Sequence, residues 1–96
     1  SMAKAAIESA TRQLSIELAQ HGIAVNSIQA GVTDTAALRK IPGSDIMISN
    51  AQKNNPHNRL TKTSDIGDFL SILTHYESSW LTGNIIRLDG GEDITG

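Results

Sequence analysis

The side chains of this sequence that can do chemistry are few and widely spaced. His21, His57 and His75 lie too far apart in sequence for a metal-site pattern, and there is no cysteine to supply a thiolate ligand or a nucleophile. Asp65 and Asp68 share a helical segment, where one suits the positive end of the helix and the other a solvated face. Glu92 and Asp93 read as exposed charges near the tail. Lys4 stands in the first turn of a helix, a place where a lysine on its own is simply solvated. Gly31 and Thr35 come after an apolar run, so the glycine suits a turn and the threonine a helix cap. No Gly-x-Gly-x-x-Gly or Gly-x-x-x-Gly-x-Gly run is present to seat a pyrophosphate at a helix N-terminus.

These residues need elements to place them. Residues 3–20 read as one amphipathic helix, with Ala3, Ala6, Ile7, Ala10, Leu14 and Leu18 on an apolar face. Nothing obvious caps its start, and His21-Gly22 ends it. The run GIAVNSIQAG suits a strand buried on both faces. Asp34 or Thr35 can cap a short helix that Pro42-Gly43 stops, and residues 45–53 can add a helical turn or two. The middle third is polar and weakly periodic, and reads as mobile loop rather than core. A second helix comes next, with Ser64 as its cap and Ile66, Phe69, Leu70 and Leu73 as its apolar stripe. A closing strand at Asn84–Leu88 ends in the turn Asp89-Gly90-Gly91. Trp80 and Leu81 are assigned to ordinary packing.

Helices alternating with strands predict an α/β fold with parallel pairing through a right-handed crossover. Two strands and about three helical segments cannot cover both faces and both edges of a buried parallel sheet. The expectation is therefore the C-terminal part of a doubly wound, Rossmann-type domain.

The bulk numbers narrow the partners. Ninety-six residues suit one small domain, and a net charge of −2 with no basic stripe argues against nucleic acid. No stretch approaches the ~20 apolar residues that span a bilayer. No Asn-x-Ser/Thr site occurs. A cytoplasmic protein is expected, with neither a membrane nor a metal among its partners.

Four segments, in order, resemble the short-chain dehydrogenase/reductases. SMAKAA is similar to the residues just after the tyrosine of that family's Tyr-x-x-x-Lys motif, with Lys4 in the lysine's place and the tyrosine expected just upstream of Ser1. VNSIQAGVTDT resembles Asn-x-x-x-Pro-Gly-x-x-x-Thr, with Ala30 where proline is usual and Gly31, Val32 and Thr35 matching. RLTKTSDIGDFLSIL resembles the Arg-x-x-x-x-x-Asp-(Ile/Val)-Ala segment, and WLTGNIIRLDGG the closing strand. Within the family, DTAALRKIP, NNPHNRL and SSWLTGNIIRLDGG look most like the enoyl-acyl-carrier-protein reductases.

The resemblance implies hydride transfer between NAD or NADP and a small or acyl-thioester substrate, with the absent tyrosine handling the proton. Lys4 would hold the nicotinamide ribose and favour the tyrosine's anion. Gly31, Val32 backbone groups and the Thr35 hydroxyl would orient the nicotinamide carboxamide. Residues 1–35 would carry the lysine helix and the nicotinamide side, 36–58 the loop over substrate, and 59–96 the last helix and strand. It further implies a homo-oligomer formed through the first helix and dependence on an N-terminal half, so that this segment alone is inactive. Tyr76 cannot replace the missing tyrosine, having no lysine four residues on. A ketone or alcohol reductase of the same family, and a non-catalytic member kept for binding or assembly, are the alternatives.

Overall fold

A computed structural model describes residues 1–95. Helix α1 spans Met2–Leu18, and it does have a cap: the Ser1 hydroxyl accepts the Lys4 N–H at 3.2 Å. A turn of 3-10 helix, Ala19–His21, leads to Gly22, whose φ of 69° stops the helix in the left-handed conformation. Strand β1 is Ser27–Ala30, helices α2 and α3 are Ala36–Arg39 and Ser44–Asn54, and helix α4 is Thr63–Thr74. Strand β2, Ile85–Leu88, pairs in parallel with β1, and a 3-10 turn at Glu92–Ile94 ends the described chain. The expected α/β order is therefore present, with four helices rather than about three. The strands are half-buried rather than covered on both faces, because a two-stranded sheet with few elements packed on it is not covered as a doubly wound sheet is.

The chain divides into two units, Ser1–Gln29 with Tyr76–Ile86, and Ala30–His75 with Arg87–Gly96. In the first, α1 turns inward a face that its apolar periodicity does not predict. Thr11 and Ser15 are buried, whereas Ala3, Ala6, Ile7, Ala10 and Leu14 are exposed. The two hydroxyls donate to carbonyls of their own helix, Ile7 at 2.7 Å and Arg12 at 2.7 Å. Such back-bonding lets a polar side chain be buried without an orphaned proton. Thr11 also bonds the Ser27 hydroxyl, and a Cβ on Gly83 would come within 3.1 Å of Ser15 Oγ. This face is thus kept small enough for close approach. Trp80, assigned to packing from sequence, is 90% exposed.

The second unit corrects the reading of the middle third. Ile48 and Ala51 of α3, with Leu60, form the buried apolar cluster, and Val32 and Leu38 pack against it. Residues 36–58 are therefore largely helical and hold core, not loop. Their periodicity is weak because only Ser44, Ile48 and Ala51 of an eleven-residue helix point inward. Helix α4 starts at Thr63 with Lys62, not Ser64, at the cap position, and the Asp65 carboxylate accepts the Lys62 N–H at 2.8 Å. Among the described residues no helix is long and apolar enough to cross a membrane.

Candidate functional site

The turn after β1 gathers three of the four residues expected to meet cofactor: Gly31, Val32 and Thr35, all in the second unit. Thr33 forms a parallel bridge with Thr61, which fixes the segment through two backbone bonds: Thr61 N–H to the Val32 carbonyl at 3.1 Å and Asp34 N–H to the Thr61 carbonyl at 2.9 Å. Gly31 is needed for space. A Cβ there would stand 2.8 Å from Thr61 Oγ1, 3.1 Å from Asp89 Cβ and 3.1 Å from Glu92 Oε2. Thr35 caps α2, its Oγ1 accepting the Leu38 N–H at 3.1 Å, which leaves its own proton free to donate.

The turn after β2 closes on the same place. Asp89 is buried and its carboxylate accepts the N–H groups of Gly91 at 3.0 Å and Asp93 at 3.1 Å, so it organises the turn, the structural role read from sequence. Its carbonyl accepts from the buried Asn55 side chain at 2.9 Å. Glu92, read from sequence as a solvated tail charge, is half-buried and accepts the Val32 N–H, with Oε2 at 3.1 Å and Oε1 at 3.4 Å. Periodicity carried no signal for this contact, nor for Thr61, because each joins segments distant in sequence.

Lys4 stands in the first unit. Its side chain is exposed in the first turn of α1, and with Ile7, Glu8, Ser27, Ile28 and Ile85 it lines a groove of about 430 Å³. The groove sets the charges of Lys4 and Glu8 beside the apolar side chains of Ile7, Ile28 and Ile85.

A polar cleft in the second unit, also about 430 Å³, includes Arg59 and Asp65. Arg59 grips Asp65 with two bonds, 2.7 and 3.0 Å, so its charge is already spent within the fold. That bond and the Lys62 N–H hold the Asp65 carboxyl down at about 2. The same cause, pairing with Arg39 at 2.8 Å, lowers Asp34. Both pairs steady loop ends rather than present charge. His57 and His75 are exposed, and His75 caps the end of α4.

A nicotinamide carboxamide has an oxygen that accepts two bonds and an amide that donates two. The Thr35 proton and the second lone pair of the Val32 carbonyl are available to it, and the missing Cβ of Gly31 keeps the turn tight. The residues present therefore fit the group, with one donor, the Val32 N–H, already engaged.

The chain is 34% identical over 95 residues to the NADH-type enoyl-acyl-carrier-protein reductase FabI of Aquifex aeolicus, across 99% of this chain and 35% of that protein. It superimposes on the crystal structure of an NADH enoyl-acyl-carrier-protein reductase from Aquifex aeolicus with a TM-score of 0.82 at 35% identity, covering 99% of this chain and 37% of that one. A small-chain dehydrogenase solved in complex with NADPH matches with a TM-score of 0.74 at 35% identity, over 94% of this chain and 40% of that one. The chain thus spans about a third of the length of such relatives, and its fold is the Rossmann-type α/β class expected. The model of the enoyl-(acyl carrier protein) reductase family matches residues 1–93. With nearly every residue inside that match, the chain belongs to the enoyl-(acyl carrier protein) reductase family of the short-chain dehydrogenase/reductases.

Proposed function

We propose that these residues are the C-terminal part of a cytoplasmic NAD(P)-dependent reductase that acts on an enoyl thioester. The observation that carries this reading is the turn at Gly31–Thr35, which offers a free hydroxyl proton and a free carbonyl lone pair where a nicotinamide carboxamide would dock. The relatives named as NADH enoyl-acyl-carrier-protein reductases support it. When bound, the cofactor supplies the hydride. Val32 and Thr35 would hold the carboxamide and so orient the nicotinamide ring toward the substrate. Lys4 would hold the ribose hydroxyls and stabilise the anion left when the family's tyrosine, outside this chain, gives its proton to the substrate. Residues 36–58, helical as they are, border the substrate. The exposed apolar face of α1 pairs with a second copy.

The test is oxidation of NADH and NADPH by the full-length protein with an enoyl thioester, a keto thioester and a simple ketone. Consumption driven by the enoyl thioester is expected, falling about a hundredfold or more in Lys4→Ala. Turnover of the keto compounds alone would replace this reading by that of a carbonyl reductase. Cofactor binding with no turnover of any substrate would make the protein a non-catalytic family member.

A further inference from the structure

An N–H group has one proton to give, whereas a carbonyl oxygen has two lone pairs. That asymmetry singles out Val32. Its carbonyl accepts from Thr61 and can accept again, but its N–H is already bonded to the Glu92 carboxylate. The bond is charge-assisted, and the half-burial of both residues shields it from water. Glu92 is also held in place from behind. Its own N–H bonds the Asp89 carbonyl at 3.2 Å, and the buried Asp89 carboxylate ties down the turn on either side through Gly91 and Asp93. Only the Glu92 side chain, with its rotatable bonds, is free to leave.

We infer that Glu92 is a built-in competitor for the nicotinamide pocket: its carboxylate occupies the Val32 N–H, and the carboxamide oxygen of the cofactor must displace it to reach that donor. This inference rests on the reading of Gly31, Val32 and Thr35 as carboxamide contacts. The bound state exchanges the Glu92 bond for the carboxamide bond and returns the carboxylate to water. Affinity for the nicotinamide end is therefore set below what the turn alone would give, and no contact of the adenosine end is altered. Product release is correspondingly assisted, since the carboxylate returns to Val32 as the oxidised cofactor leaves.

The test is calorimetric titration of the full-length protein and of its Glu92→Ala and Glu92→Gln variants with NADH, NADPH and, separately, ADP-ribose, which has no nicotinamide. Removing the carboxylate is expected to tighten binding of the nicotinamide cofactor that the wild type prefers by about tenfold, with a smaller gain for Gln, whose neutral amide oxygen still accepts. ADP-ribose affinity is expected to stay unchanged. Unaltered or weakened cofactor binding in Glu92→Ala, or a parallel change for ADP-ribose, would overturn the competitor role and leave the proposed function standing. Failure of wild type and variants alike to bind either dinucleotide would instead remove the nicotinamide reading itself, and the competitor with it.

Discussion

Asp65 shows how much one half-buried carboxylate can be asked to do. It accepts two bonds from Arg59 and one from the Lys62 backbone, and this holds its carboxyl at about 2, against an ordinary 3.8. Because the folded state favours the charged form, the resulting stability is present above the ordinary value and is lost as the pH falls through the lowered one. In urea unfolding of the full-length protein, Asp65→Asn is expected to lower the midpoint at pH 6, and the gap from wild type should close between pH 3.8 and about 2. A gap that stays constant over that range would show that the pairing with Arg59 does not set the stability. At this scale the sequence was legible where a residue acts within its own segment. Asp65 as partner of a helix start, Thr35 as a cap and Gly22 as a stop are all matters of local chemistry. Glu92 was not legible, because its partner Val32 lies sixty residues away.

Helix α1 makes the same distinction for an element. Its C-terminal end could be read from sequence, but its cap at Ser1 and its inward face could not. Periodicity ranks side chains by apolarity, and so it picked Ala3, Ala6, Ile7, Ala10 and Leu14, which are exposed. The face that packs carries Thr11 and Ser15, whose hydroxyls are satisfied by their own helix and thus behave as small, neutral side chains. Helix α3 was read as no more than a helical turn or two over residues 45–53 for a related reason: a stripe of Ser44, Ile48 and Ala51 is too short to register against its polar remainder. The two faces of α1 should therefore respond differently. Thr11→Val keeps the shape but strands the Ser27 hydroxyl, and should cost about 1–2 kcal/mol in unfolding free energy. Ala10→Glu, on the exposed face, should leave that free energy unchanged while lowering the mass of the full-length assembly in light scattering. If Ala10→Glu destabilises the protomer and spares its mass, the alanine face packs within the protomer and α1 is not the pairing helix.

The balance of burial over the whole molecule makes a prediction about these residues by themselves. Its buried apolar residues are Ile48, Ala51 and Leu60, and among the described residues no large side chain is fully buried. Against that stand Met2, Ile16, Ile46, Ile72, Trp80 and Ile94, each more than 70% exposed. A fully buried large aliphatic or aromatic side chain contributes about 1.5–3 kcal/mol, while ordering each residue costs about 1–2 kcal/mol of backbone entropy. So small a core leaves little margin. A polypeptide made of these 96 residues only is therefore expected to unfold over a broad range of urea, with a low slope, and to bind a dye that reports exposed apolar surface. Within a chain as long as the relatives, about three times the length, the same residues should unfold steeply and leave the dye dark, since such a chain has the surface to cover these side chains. A steep, cooperative transition from the 96 residues alone, without dye binding, would mean that the half-buried sheet and the small cluster around Ile48 suffice. The open strand edges and the exposed face of α1 would then need no covering for the fold to stand.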